Sequence, residues 1–387
     1  MQYRRFGKTE LQLPVISCGC MRFQGSWNSD DAVSKESQKN VEACVRHALE
    51  LGIYHIETAR GYGTSEKQLG QILPKLPRNE IIVQTKVNPH EDVAQFAKTF
   101  EKSMGLLKVD YLDLFSIHGI NDETTFEHAM RCLDKALEWK QAGRVRHIGF
   151  ASHGGPDIII KTVKTGAFEH VNLHWFYIYQ DNWPAILEAR KHDMGVFIIS
   201  PNDKGGLLYN PSAKLVELTA PLHPMAFNDL FCLSHPEIHT LSCGISKPED
   251  FDIHAEAIEH LDRAADVIAP IQKRLEDEMV RVLGAEWVET WYKGLPQWHE
   301  TPGEINIPWI LRLRNLALAY DMIEFGKMRY NLLGNGGHWF PGQKADKLGK
   351  HDLTACLKKS PNAKKIPVAL AEAHALLAGE ERKRLQK

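Results

Sequence analysis

Residues 112–152 read LDLFSIHGINDETTFEHAMRCLDKALEWKQAGRVRHIGFAS, and the reading of this stretch decides the fold. Leu112–His118 is a short, mostly apolar run with the length of a buried strand. TTFEHAMRCLDKALEWKQAG is an amphipathic helical segment, and Arg146–Ser152 is again short and apolar. Strand, helix, strand is the unit of a parallel sheet, because parallel neighbours need a long crossover between them. The same alternation runs outward in both directions. After a short opening hairpin, the further strand candidates are Val15–Cys20, Tyr54–Thr58, Ile81–Val87, Val171–Tyr177, Val196–Pro201 and Thr240–Ser246. In SQKNVEACVRHALELG, Val45, Ala48 and Leu49 fall on one helical face while Lys39, Glu42 and Arg46 face elsewhere. Eight strands separated by helices give the α/β class and the count of a closed (β/α)8 TIM barrel. A doubly wound open sheet more often carries GxGxxG after its first strand, and this chain has none there.

The pattern changes near residue 262. Residues 1–262 read as the barrel, and 263–387 as an all-helical C-terminal extension packed on it. In the extension, Ala264–Leu295 looks like one long helix ending at the punctuation of Gly294, Pro296 and Pro302. NIPWILRLRNLALAYDMIEFGKMRYNLLG and a closing helix around PVALAEAHALLAGEERKR complete it.

Composition excludes several classes. The 387 residues carry 47 basic and 49 acidic side chains, a net charge of -2 that argues against nucleic acid as a partner. The basic end Glu381–Lys387 reads as solvated chain. No apolar run approaches the roughly 18 residues of a membrane span, and the N-terminus lacks a secretory pattern. Cys18, Cys20, Cys44, Cys132, Cys232, Cys243 and Cys356 are odd in number and sparse, so no disulfide scaffold is expected and a reducing cytoplasm is the default. Cys18 and Cys20 would share a face of a regular strand. The sequence leaves the oligomeric state open.

Barrel enzymes build their sites at the C-terminal ends of the strands. Polar residues there are Glu57 after the second strand, Lys86 near the end of the third and His118 closing the fourth. Ser152 and His153 follow the fifth, Asn172 and His174 lie on the sixth, and Tyr62 sits in the second loop. A phenol, an amine, a carboxylate and an imidazole together can perform general acid chemistry on an oxygen. A neighbouring ammonium favours the phenolate and lowers the phenol's pKa, while a carboxylate pairs with the ammonium and holds it.

These residues carry a resemblance to the aldo-keto reductases, running from about Arg4 to Ala257. RRFGKTELQLPVISCGCMRF resembles the family's opening hairpin and first strand. HIETARGYGTSEKQLG resembles the segment with its acidic residue and tyrosine, IIVQTKV the strand with its lysine, and YLDLFSIHG the segment ending in its histidine. The resemblance implies Tyr62 as general acid, Lys86 as its pKa-lowering neighbour, Glu57 as the carboxylate on Lys86, and His118 as the imidazole orienting the carbonyl. The implied reaction is hydride transfer between a nicotinamide and an aldehyde or ketone. Apart from the resemblance, a mouth lined by the imidazoles of His118, His153 and His174 suits a polar, sugar-like carbonyl substrate, with His153 and His174 as its contacts. The family normally has aspartate at the position of Glu57, and the extra methylene moves a carboxylate by roughly an ångström. Ser152 and Asn172 stand where an asparagine and a glutamine hold the carboxamide.

For the cofactor, SPNDKGGLL, with Ser200, Lys204, Gly205 and Leu207, resembles the loop that reaches over the pyrophosphate. LSCGISKPEDFDIHAEA resembles the phosphate segment of the last strand. Gly244, Ile245 and Ser246 offer backbone amides to an anion, and Ser246 and Lys247 add side-chain groups. Asp250 occupies the position of an arginine that often meets the 2'-phosphate, and Ile253 and His254 replace the adenine-contacting glutamate and asparagine. On balance the sequence leans to NADPH over NADH. INIPWILRLRNLALAYDM and YNLLGNGGHWFPG resemble the extension of a bacterial branch whose extension usually carries an iron-sulfur cluster. LPQWHETPGEINIP, the corresponding stretch, has none of the closely spaced cysteines that cluster needs, so no iron-sulfur cluster is expected.

Two other readings compete. One is a metal-dependent barrel hydrolase or isomerase using Glu57, His118, His153 and His174 as ligands, although the motifs HxH and HExxH are absent. The other is a reductase-like shell that has lost turnover and serves as a binding or scaffold protein.

Overall fold

A computed structural model describes residues 1–335 and 340–381. The basic end beyond Glu381 and the centre of YNLLGNGGHWFPG lie outside the described residues. The chain divides into two compact units, one of residues 1–205 and 225–265, the other of 206–224 and 266–387.

In the first unit, β1 (Tyr3–Arg5) and β2 (Gln12–Pro14) form an antiparallel hairpin. Eight strands follow: β3 (Ile16–Gly19), β4 (His55–Glu57), β5 (Ile82–Val87), β6 (Leu112–His118), β7 (Val145–Ala151), β8 (His170–Leu173), β9 (Gly195–Ile199) and β10 (Thr240–Gly244). They close a parallel barrel in the order β10-β3-β4-β5-β6-β7-β8-β9. The eight-stranded barrel read from the sequence is therefore the fold.

Several strands are shorter than their apolar runs. β3 stops at Gly19, and Cys20 opens a 3-10 turn over Cys20–Phe23, so the two cysteines do not share a regular strand. Their sulfurs nonetheless lie 3.9 Å apart. The run Val171–Tyr177 leaves the sheet after Leu173, which puts His174 just beyond β8. Trp175 then stacks on Phe231 with ring centres 4.9 Å apart. Barrel wall and helix packing are both apolar here, so hydrophobicity alone does not mark the boundary.

Strand alternation sorts the barrel into layers. On β5, Ile82, Gln84 and Lys86 point inward, while Thr85 points outward and donates to Glu66 at 2.7 Å. At the end where the strands begin, Phe6 and Leu13 of the hairpin region cluster with Ile82, Leu114 and Phe197. That plug leaves the opposite end for chemistry. The middle layer is polar, with Ser17 Oγ 2.7 Å from both His55 Nδ1 and Thr240 Oγ1. The top layer holds Glu57, Lys86, His118 and Ser242.

In the second unit, the helix expected over Ala264–Leu295 ends at Leu283, broken at Gly284 (φ 83°), and Ala285–Thr290 is a separate short helix. Ala213–Thr219, Ile307–Tyr320, Ile323–Tyr330 and Ile366–Leu377 are among its further helices. The Tyr330 hydroxyl ties two of them together at 2.7 Å from His374 Nδ1. Among the described residues, no helix is long and apolar enough to cross a membrane.

Candidate active site

Glu57 ends β4, and its neighbour across the sheet is β5, whose inward alternation brings Lys86 to the same level. Lys86 Nζ contacts Glu57 Oε1, donates to the Thr58 carbonyl at 2.8 Å, and lies 3.4 Å from the Tyr62 hydroxyl. An ammonium has three donors, and these partners account for them. Lys86 is fully buried, where an unpaired charge is costly, so Glu57 is its necessary counterion. The extra methylene of glutamate is accommodated by Ser242, which the sequence reading passed over. Its hydroxyl donates to Glu57 Oε2 at 2.7 Å and fixes the carboxylate from the far side. Gly19 makes room for this, since a Cβ there would sit 2.5 Å from Ser242 Oγ. The available signal was alternation: Thr240 and Ser242 are two residues apart on β10 and point into the barrel together.

Tyr62 stands in the turn between β4 and the helix Ser65–Leu69, its backbone held by bonds to Ala59 and from Ser65, each 3.0 Å. Its ring meets that of His118 edge-on with centres 6.1 Å apart. Desolvation in the barrel mouth, reinforced by the Cys20 thiol, pushes the Tyr62 phenol above its ordinary value. Burial thus works against the lowering expected from Lys86, whose ammonium is itself engaged by Glu57. Burial pulls the Lys86 ammonium down to about 7, and the contacting carboxylate works in the opposite direction. His118 is lowered to about 3 by burial and by the charges of Lys86 and Lys204. It is therefore a neutral imidazole, and its buried Nδ1 has no hydrogen-bond partner.

These directions fix an expected pH profile. A reaction that consumes the Tyr62 proton would, with the phenol pKa raised, lose rate only as pH rises above about 10. No limb should appear near 6.5, because His118 does not titrate there. A pH series of kcat/KM checks this; a limb near 7 would instead report the loss of the Lys86 charge.

The remaining expected site residues separate into three groups. Ser152 donates to the Ile120 carbonyl at 2.5 Å and accepts from Gly154 N at 3.0 Å, so its hydroxyl braces the turn after β7 and its donor is spent. Asn172 is buried inside the barrel; its Oδ1 lies 3.3 Å from His170 Nδ1, and its Nδ2 has no partner. At the end of β10 lie Gly244, Ser246 and Lys247. Ser246 Oγ accepts from Arg22 at 2.7 Å, and the backbone amides of Ser246 and Lys247 both donate to Asp250 Oδ2, at 2.7 and 3.2 Å. The anion cradle expected for a phosphate thus holds the chain's own carboxylate, from the first residue of helix Asp250–Glu259. Lys247 itself is exposed. His254 is buried, bonded through Nδ1 to Asp229 and with Nε2 3.2 Å from Asn202.

The third group is the loop after β9. Ser200 takes φ 56°, and its carbonyl accepts from Lys204 N at 3.1 Å. Gly205 packs so tightly that a Cβ would meet the Pro201 carbonyl at 1.8 Å. Leu207 belongs to the second unit. Lys204 Nζ lies 2.8 Å from His174 Nε2 and 3.2 Å from His153 Nδ1, so a residue assigned to the cofactor joins two assigned to substrate. The proposed metal ligands Glu57, His118, His153 and His174 stand instead among two ammonium groups, Lys86 and Lys204, where that reading requires a metal cation. Among the described residues, the ligand-type side chains that converge are Asp229, Cys243 and His254, with donor atoms within 4.8 Å of one another.

Fold and site together define a (β/α)8 barrel with a tyrosine, lysine, carboxylate and histidine at the C-terminal mouth. The sequence of residues 15–209 matches the model of the aldo/keto reductase family. This protein belongs to that family. An uncharacterized oxidoreductase of Bacillus subtilis, YqkF, is 24% identical over 332 residues, covering 76% of this chain and 99% of that protein. The L-glyceraldehyde 3-phosphate reductase of Escherichia coli is 28% identical over 169 residues, 40% of this chain and 46% of that one. Among solved structures, an aldo-keto reductase from Bacillus halodurans superposes with TM-score 0.56 and 21% identity over 71% of this chain and 96% of its own. One from Klebsiella pneumoniae in complex with NADPH gives TM-score 0.55 and 18% identity over 70% and 95%. At these identities the structural likeness concerns the fold.

Proposed function

We propose that Tyr62 is the general acid in the reduction of an aldehyde or ketone, with Lys86, Glu57 and His118 as its supporting groups. As an aldo/keto reductase the protein is an NAD(P)H-dependent oxidoreductase of carbonyl compounds. The observation that carries the residue assignment is the Lys86 ammonium, bonded to Glu57 and to the Thr58 carbonyl and 3.4 Å from the Tyr62 hydroxyl. When bound, the nicotinamide supplies the hydride. Tyr62 holds the proton that the carbonyl oxygen takes up, and its raised pKa keeps that proton in place at neutral pH. Lys86 stabilises the phenolate left behind, where an ammonium is strongest because water is excluded. Glu57, fixed by Ser242, keeps Lys86 charged. Neutral His118 orients the carbonyl through an N–H without competing as an acid.

At the nicotinamide end, the unpartnered, buried Asn172 Nδ2 suits an amide-binding role. At the other end, the amides of Ser246 and Lys247 form an anion cradle that Asp250 already occupies. Because Asp250 fills that cradle, a second negative group there meets like charge, whereas a ribose hydroxyl can donate to a carboxylate. We therefore favour NADH, reversing the lean of the sequence. Titration of tryptophan fluorescence should show NADH binding about tenfold or more tighter than NADPH, and Asp250→Asn should narrow the gap, since like-charge juxtaposition costs several kcal/mol. Equal affinities in both proteins would defeat this preference. Absence of binding by either nucleotide would favour the scaffold reading.

The C-terminal unit is read, from INIPWILRLRNLALAYDM, as the extension of that bacterial branch; with Cys356 the one cysteine within residues 266–387, it lacks the closely spaced thiolates of a cluster. Cytoplasmic residence is assigned from seven free cysteines, six of them buried.

A further inference from the structure

We propose that Asp229, Cys243 and His254 form a buried site for one zinc ion, which ties two helices to the last barrel strand. The site lies apart from the catalytic groups and does not depend on the reductase reading. Strand alternation on β10 turns Ser242 into the barrel, where it meets Glu57, and sends Cys243 to the outer face. There Cys243 converges with Asp229 of the helix Pro224–Leu233 and His254 of the helix Asp250–Glu259. The three donor atoms lie within 4.8 Å of one another, and all three residues are fully buried in the barrel unit. Zinc bonds of about 2.0–2.3 Å put tetrahedral ligands about 3.5 Å apart, so each side chain closes on the ion by under about an ångström.

The carboxylate is what points to a cation. Asp229 Oδ2 is bonded to His254 Nδ1, while Asp229 Oδ1 is buried without a partner. A carboxylate taken out of water needs its charge and its lone pairs met, and one imidazole bond leaves an oxygen unmet. A divalent cation among both oxygens, the imidazole and the sulfur meets them. Burial and the Asp229 carboxylate hold the Cys243 thiol well above its ordinary value, so the sulfur keeps its proton until a metal displaces it. On binding, that proton leaves to solvent and the one on His254 Nδ1 gives way to the ion, so thiolate and carboxylate balance the two charges of zinc. Calcium and magnesium take oxygen ligands, whereas thiolate, imidazole and carboxylate together suit zinc. With both Asp229 oxygens bound, the four positions of a closed, structural site are filled. His254 is used only through Nδ1, the nitrogen already turned to Asp229, and Nε2 keeps Asn202 at 3.2 Å to orient the ring. Cys232, on the helix of Asp229, faces the Trp175 carbonyl at 3.5 Å and is not a ligand. The ligands bracket the loop whose Ser246 and Lys247 amides hold Asp250, so the ion steadies that loop. All three lie within residues 229–254, and the ion is taken up as this stretch folds.

The test uses the full chain, produced without a histidine tag. Protein from zinc-supplemented growth, dialysed against a weak chelator, should retain about one zinc per chain. Protein from cobalt-supplemented growth should show the thiolate-to-cobalt charge-transfer band and the intense visible bands of tetrahedral cobalt. Cys243→Ala should abolish the charge-transfer band, and both it and Asp229→Asn should cut bound metal about tenfold or more. Cys356→Ala, at a cysteine of the other unit, should change neither readout. Zinc below about a tenth of an equivalent, with no cobalt charge transfer, overturns the site. Metal that persists in both Cys243→Ala and Asp229→Asn is an adventitious ion only and overturns it equally. Another late divalent metal, stoichiometric and lost in the same variants, upholds the site and overturns its assignment to zinc. Should circular dichroism show a variant unfolded, the cobalt spectrum of the wild type decides: thiolate charge transfer upholds the site and its absence overturns it.

Discussion

Tyr62→Phe is expected to lower carbonyl reduction by about a thousandfold or more while leaving nucleotide binding in place. The substitution removes one oxygen, and that oxygen is the 3.4 Å partner of Lys86 and the only acidic hydroxyl in the proposed mechanism. General acid catalysis by a positioned side chain contributes about 10²–10⁴ in rate. The ring itself remains to pack edge-on against His118, so the fold has no reason to respond. Steady-state rates with the best substrate of a carbonyl screen, together with fluorescence titration of NADH, measure the two halves separately. A Phe variant with more than about a tenth of the wild-type rate would remove Tyr62 from the mechanism.

Glu57→Gln has the second large effect, on stability and on its pH dependence. Removing one partner of a buried ion pair costs about 3–5 kcal/mol, because the remaining charge is stranded. Lys86 can relieve this by releasing its proton, and burial already draws it from 10.5 down to about 7. The sign follows from linkage. With the folded-state pKa below the unfolded one, the unfolded chain binds more protons between those values, so stability rises with pH across that window. Without the carboxylate, the folded Lys86 pKa should fall below its wild-type value of about 7, so the variant's deficit against wild type should be largest well below pH 7 and shrink as pH rises to about 7. Urea unfolding at pH 6 and pH 9, with wild type as the reference, tests the slope; a deficit independent of pH would show that Lys86 does not titrate. Glu57→Gln with Lys86→Met should regain stability without regaining activity, since no buried charge remains and the phenolate loses its ammonium.

Much of the site was legible because strand ends are legible. Glu57 and His118 each close a short strand and Lys86 is the penultimate residue of another, and a barrel turns that position in sequence into a common level in space. Tyr62 was marked by the resemblance of HIETARGYGTSEKQLG to the family's tyrosine segment. Ser242 was hidden among ordinary barrel hydroxyls, since nothing in LSCG distinguishes a serine that meets Glu57 from one that meets a backbone carbonyl. The role of Asp250 was half visible: its charge was evident, but its return onto the amides of Ser246 and Lys247 depends on the helix that begins at Asp250. Strand ends at Gly19 and Leu173 were misread because the apolar runs continue past them into helix-packing surface.

The sequence by itself determined the barrel and the hairpin before it, and it supplied the four groups proposed for catalysis. These depend on periodicity and on order along the chain, which are local quantities. Only the tertiary structure decided that Lys204 belongs with His153 and His174, that Ser242 steadies Glu57, and that desolvation raises the Tyr62 phenol despite the adjacent ammonium. Each of those is a matter of distance and dielectric between residues far apart in sequence, and closure of the barrel is what brings them together.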